Sequence, residues 1–77
     1  MVTVLRSLGL RVVIYLNDHE PAHVHVYGDG QARIDLAGAR PAVIEQRRMT
    51  KGELRKALAL VAEHQAALLR RWEEIHG

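Results

Sequence analysis

A chain of 77 residues, 48% hydrophobic and 26% charged, has the balance of one small folded domain. At this length folding buries only about 60% of the unfolded surface, which leaves no room for a cofactor domain beside a substrate domain. The lack of cysteine excludes disulfides, thiolate metal sites and cysteine nucleophiles, and the formal charge of +2 excludes a strongly basic or acidic tail protein.

The first stretch, Met1 to Leu16, is apolar but interrupted by Arg6 and Arg11, with no small-residue cleavage pattern after it. Its longest apolar run, Val12 to Leu16, is far shorter than the roughly 20 residues that span a bilayer. With no thiols either, the chain reads as cytoplasmic. Thr3 to Leu8 and Leu10 to Leu16 are rich in β-branched residues and flank Gly9, which predicts a hairpin with a tight turn. The second strand is apolar on both alternating faces and reads as central. Asn17, Asp18, His19, Glu20 and Pro21 then supply a loop.

From His23 to Tyr27 apolar and polar residues alternate, with Val24 and Val26 on one face and His23, His25 and Tyr27 on the other. After Gly28, Asp29 and Gly30, the residues Ala32, Ile34 and Leu36 alternate against Gln31, Arg33 and Asp35. A two-residue turn would mix apolar and polar groups on each face. A three-residue turn, with Gly30 left-handed, opposes Val24 to Ile34, Val26 to Ala32, His23 to Asp35 and His25 to Arg33, and this is the predicted register. Ala42 to Gln46 is predicted as a short fifth strand at an edge.

Thr50 and Glu53 form a capping-box pattern, in which hydroxyl and carboxylate each satisfy a backbone N–H. One long helix is predicted from about Lys51 to Ile75, within a helical region 50–76 that follows a sheet over 1–46. Leu54, Leu58, Val61, Leu68, Trp72 and Ile75 make its apolar stripe, with Gln65 the one polar interruption. The fold class is therefore α+β: one domain over 1–77, an antiparallel sheet of four to five strands from two hairpins and an edge strand, packed by a C-terminal helix. Trp72 and Ile75 are expected in the core or at a partner interface.

The densest set of chemically capable side chains runs from Asp18 to His25. His19 to His23 spells H-E-x-x-H, but Pro21 sits inside it and a strand follows, so the helix that this zinc motif requires is not available. On a strand, His23 and His25 project to one side about 7 Å apart. His19, His23 and His25 are thus the candidate ligands for a divalent ion (zinc, manganese or nickel), with Asp18, Glu20 or Asp35 to complete the set. Without a metal, His23 and Asp35 would be an oriented base, with Glu20 or His25 a second proton carrier. The plainer alternative is that His23 and His25 are solvent-side residues that pair with Asp35. Gly28, Asp29 and Gly30 join two strands and lack the helix N-terminus of a phosphate loop.

The basic groups are spread, and only Arg47, Arg48 and Lys51 come close to a cluster for nucleic acid. Glu63, His64 and His76 read as exposed helix positions.

The segments Thr3-Val4-Leu5-Arg6, His19-Glu20-Pro21-Ala22-His23-Val24-His25-Val26 and Gly28-Asp29-Gly30 resemble a small prokaryotic family, domain of unknown function 4160. So does the tail from Glu53-Leu54 through Leu68-Leu69 to Trp72. The family usually has Pro-Pro where this chain has Pro21-Ala22. The resemblance implies a component of a toxin–antitoxin-like two-gene module. The partner would be a cognate small protein from the adjacent gene or a second copy, and His19, His23 and His25 would mark the working face. A metal-dependent hydrolase or nuclease and a basic DNA-binding autoregulator are the alternative functions.

Overall fold

The computed structural model describes residues 1–77. Five strands, β1 (Val2–Ser7), β2 (Leu10–Ile14), β3 (His23–Tyr27), β4 (Gln31–Asp35) and β5 (Ala42–Arg47), form one antiparallel sheet in chain order. Two helices follow, α1 (Lys51–Glu63) and α2 (Gln65–His76), so the class is α+β. The core lies between the helices and one sheet face, where Val12, Ile14, Val24, Val26, Ile34 and Val61 are fully buried. No helix is long and apolar enough to cross a membrane.

The first turn is the two residues Leu8 and Gly9, with φ of 56° and 75°, between the paired Ser7 and Leu10. Left-handed backbone at both central positions matches the twist of the flanking strands. The second strand ends at Ile14, two residues short of the predicted Leu16, which is exposed.

The β3–β4 register is the expected one: Val24 opposes Ile34, Val26 opposes Ala32, His23 opposes Asp35 and His25 opposes Arg33. Gly30, however, is not left-handed. Its requirement is close approach, since a Cβ there would lie 2.3 Å from the Arg47 carbonyl oxygen. A Cβ on Gly28 would lie 2.6 Å from the Glu53 carboxylate. That carboxylate accepts hydrogen bonds from the backbone N–H groups of Asp29 (2.9 Å) and Gly30 (3.2 Å). The capping box is therefore half formed. Thr50 Oγ accepts from the Glu53 N–H at 3.0 Å, while the Glu53 side chain crosses to the β3–β4 turn instead of returning to Thr50.

The single long helix is two helices. At His64 the backbone N–H donates to the Val61 carbonyl (3.1 Å) while the ring Nδ1 donates to the Leu60 carbonyl (3.0 Å). A side chain thus takes the acceptor that the regular ladder would use, and the helix breaks there. Gln65, the polar gap in the apolar stripe, fixes the junction by donating to the carbonyls of Leu36 (3.0 Å) and Gly38 (2.9 Å). His64 is accordingly half-buried, whereas Glu63 is exposed as expected.

Candidate metal centre

After β2 the chain turns sharply, with the Asp18 N–H donating to the Tyr15 carbonyl at 3.3 Å. The start of β3 is tied to the end of β4 by a 2.9 Å bond from the Leu36 N–H to the Ala22 carbonyl. These two closures set the Asp18 carboxylate against the imidazoles of His23 and His25. Asp18 Oδ2 lies 3.2 Å from His23 Nε2 and 3.1 Å from His25 Nε2. The ligand atoms of all three residues fall within 4.8 Å of one another. Donors about 2.0–2.1 Å from a tetrahedral ion sit roughly 3.3 Å apart, so the two measured separations suit one shared cation.

His23 carries the sharper argument. Its Nδ1 donates to the Pro21 carbonyl at 2.8 Å, because a carbonyl only accepts. A neutral ring then has its lone pair on Nε2, and that lone pair faces a carboxylate oxygen. Two acceptors meet at 3.2 Å unless a proton or a metal ion stands between them. A ring held by Nδ1–H to a backbone carbonyl, with Nε2 turned to an anion, is an arrangement shared by metal-ligating histidines and by imidazolium–carboxylate pairs. Burial lowers the pKa of His25 from its ordinary 6.5 against the opposing pull of Asp18, which favours the neutral ring; its Nε2–H donates to Asp18 Oδ2, a proton that an ion would replace.

Aromatic groups enclose the cluster. Tyr15 meets His25 edge-on at 4.6 Å, and Trp72 lies 5.1 Å from His23. The Tyr15 hydroxyl is hydrogen-bonded to the Tyr27 hydroxyl. His76 stacks on Trp72 at 3.7 Å and turns its ring nitrogens to the carbonyls of Trp72 and Tyr15. It is therefore a half-buried link between α2 and the turn after β2, where an exposed position was expected.

Several expected roles change. His23 is 7% exposed, so it does not lie on a wet surface. His19 stands outside the cluster, in an exposed loop; it lines a separate hollow with Glu20, Pro21, His23, Arg33, Asp35 and Ile44. Asp18 takes the place given to His19. Asp35 opposes His23 in the register, but its carboxylate accepts from the Ala37 N–H at 2.8 Å, and the His23 nitrogens are directed to Pro21 and Asp18. Glu20 is exposed and makes no ion pair. Glu20, His23 and Asp35 line that one hollow, with no hydrogen bond or ion pair joining them. Of the two placements expected for Trp72, core and partner interface, the structure has the core, at 2% exposed; Ile75 is half-buried against that core. Arg47, Arg48 and Lys51 are all exposed.

No curated protein and no solved structure matches the chain. The family model described as a domain of unknown function, DUF4160, matches residues 9–73, a span that contains Asp18, His23, His25, α1 and most of α2. Matched over most of its length, the chain belongs to the DUF4160 family.

Proposed function

We propose that the protein binds a divalent transition-metal ion through Asp18, His23 and His25 and uses it for hydrolysis. The observation that carries this reading is the pair of acceptors, His23 Nε2 and Asp18 Oδ2, held 3.2 Å apart while His23 Nδ1 is committed to Pro21. Two neutral imidazoles and one carboxylate suit zinc, manganese or nickel and leave coordination positions for water and substrate. Such an ion supplies Lewis-acid activation of water. Asp18 offsets its charge, and the Pro21 carbonyl fixes the His23 ring.

Isothermal titration with zinc chloride on untagged, chelator-treated protein tests the reading. One site is expected in the native chain. Asp18→Asn and His25→Ala should weaken it by more than the roughly 10–100-fold that loss of an outer hydrogen-bond partner costs. Native protein that takes up no zinc, manganese or nickel ends the proposal.

A role in a two-gene module is the second reading, implied by the family resemblance and favoured by the apolar Ile44 side chain, 44% exposed on edge strand β5. Co-expression with the adjacent gene product should yield a co-purifying complex; a chain that stays monomeric beside it argues against the module.

A further inference from the structure

The sheet register gathers arginines that the sequence scatters. Arg6 opposes Arg11, Arg11 opposes Tyr27, Tyr27 opposes Gln31 and Gln31 opposes Arg47. Directly opposed residues share a face, so these five side chains form one row across all five strands. The next row on the same face holds Thr3, Val13, His25, Arg33 and Glu45. Four arginines from four different strands therefore stand on the face opposite the helices. Strands about 4.8 Å apart spread the row over roughly 19 Å. His25, a proposed metal ligand, is two residues along β3 from Tyr27.

Glu45 and Asp35 share this face, yet no ion pair ties a carboxylate to any of its four arginines. Among the arginines only Arg71 has a carboxylate within 4.0 Å, that of Glu74, so Arg6, Arg11, Arg33 and Arg47 have none. Glu45 stands opposite Arg33 in the register without bonding to it. Arg6 directly across from Arg11 is a like-charge pair, which a sheet tolerates only at a cost. The Nε–H groups of Arg11 and Arg33 are buried with no hydrogen-bond partner, a second local cost on the same face. Arg11 also lies over the Tyr27 ring, 5.3 Å from its centre.

We infer that this face binds a single-stranded nucleic acid, the arginines holding its phosphates. As the substrate class of the proposed metal centre, this inference rests on that reading. Charge complementarity selects the occupant: arginine forks match phosphate oxygens in pairs, and guanidinium planes stack on bases. An open sheet suits a splayed single strand, whereas a duplex is read by an element that enters its groove. In the hydrolytic reaction, water would add to phosphorus as the P–O bond to the leaving oxygen breaks. The water's protons would pass to solvent and to that oxygen.

Fluorescence anisotropy of a labelled oligouridylate, measured in chelator so that no metal contributes, tests the strand-binding face separately from the metal centre. Four phosphate contacts give a salt slope of about −2.8, a loss of about 50-fold in affinity between about 50 and 200 mM salt. Arg6→Gln and Arg11→Gln should each reduce that loss to about 20-fold. Arg70→Gln, the same charge change on exposed α2, should leave it unchanged. Arg6→Gln should also raise the melting temperature by removing the opposed pair, which reports that the variant folds. No oligouridylate binding at low salt, equal effects of all three substitutions, or preference for polyglutamate over oligouridylate overturns the inference. If strand binding holds while zinc titration is flat, the metal reading alone fails.

Discussion

Asp18 shows how little backbone movement separates a loop carboxylate from a ligand. It lies just past a strand that ends at Ile14, and the turn through Tyr15 returns it to the two histidines that open β3. Its neighbour His19, one residue further on, stays outside that cluster and lines a hollow beside His23, Arg33 and Asp35. At the same scale, Tyr27 is pushed up to about 12 from 10.0 by burial and by its hydrogen bond to the Tyr15 hydroxyl. The folded state holds that proton more tightly than the unfolded state. Tyr27 therefore contributes stability that is complete below pH 10 and lost as pH rises toward 12. A phenolate-absorbance titration should show one of the two tyrosines ionising near 12, and Tyr15→Phe should bring Tyr27 back toward its ordinary value.

Among the elements, both hairpins and their registers are legible in the sequence because side-chain alternation on a one-sided sheet penalises a slip of one residue. Val24 against Ile34 is the case in point. What a turn glycine avoids is not legible, since the carbonyl of Arg47 that crowds Gly30 is many residues away in the chain. The helix break is hidden for a similar reason. An apolar stripe that continues through Leu68 and Trp72 says nothing of a His64 ring that takes a carbonyl from the ladder. Each edge strand carries a register shift, at Val4 in β1 and at Ile44 in β5, and such bulges discourage edge-to-edge pairing. The first turn stores an avoidable cost, because Leu8 is left-handed at φ 56° and 64% exposed. An L side chain pays about 1–2 kcal/mol there, which Asn largely avoids. Leu8→Asn should stabilise the protein by about 1 kcal/mol, raising the melting temperature by about 4–8 °C in a thermal melt followed by circular dichroism. A lower melting temperature would show that Leu8 makes contacts that outweigh the strain.

At the scale of the whole molecule, one sheet separates two kinds of surface. The apolar face takes the helices and supplies the core, while the polar face collects His25 and the arginine row. The sequence reads as evenly charged because those arginines come from β1, β2, β4 and β5; only pairing across strands brings them together. The imidazole pair is visible in the alternation of β3, but its burial is not, because Trp72 arrives from the far end of the chain. The proposed metal chemistry requires Asp18, His23 and His25 to share one ion. Nitrogen-15 NMR of the histidine side chains, recorded with and without one equivalent of zinc, tests this most directly. The expected result is a shift of Nε2 in His23 and His25, with His23 Nδ1 still protonated and the rings of His19, His64 and His76 unmoved. A shift centred on His19, or no shift in His23 and His25, would contradict it.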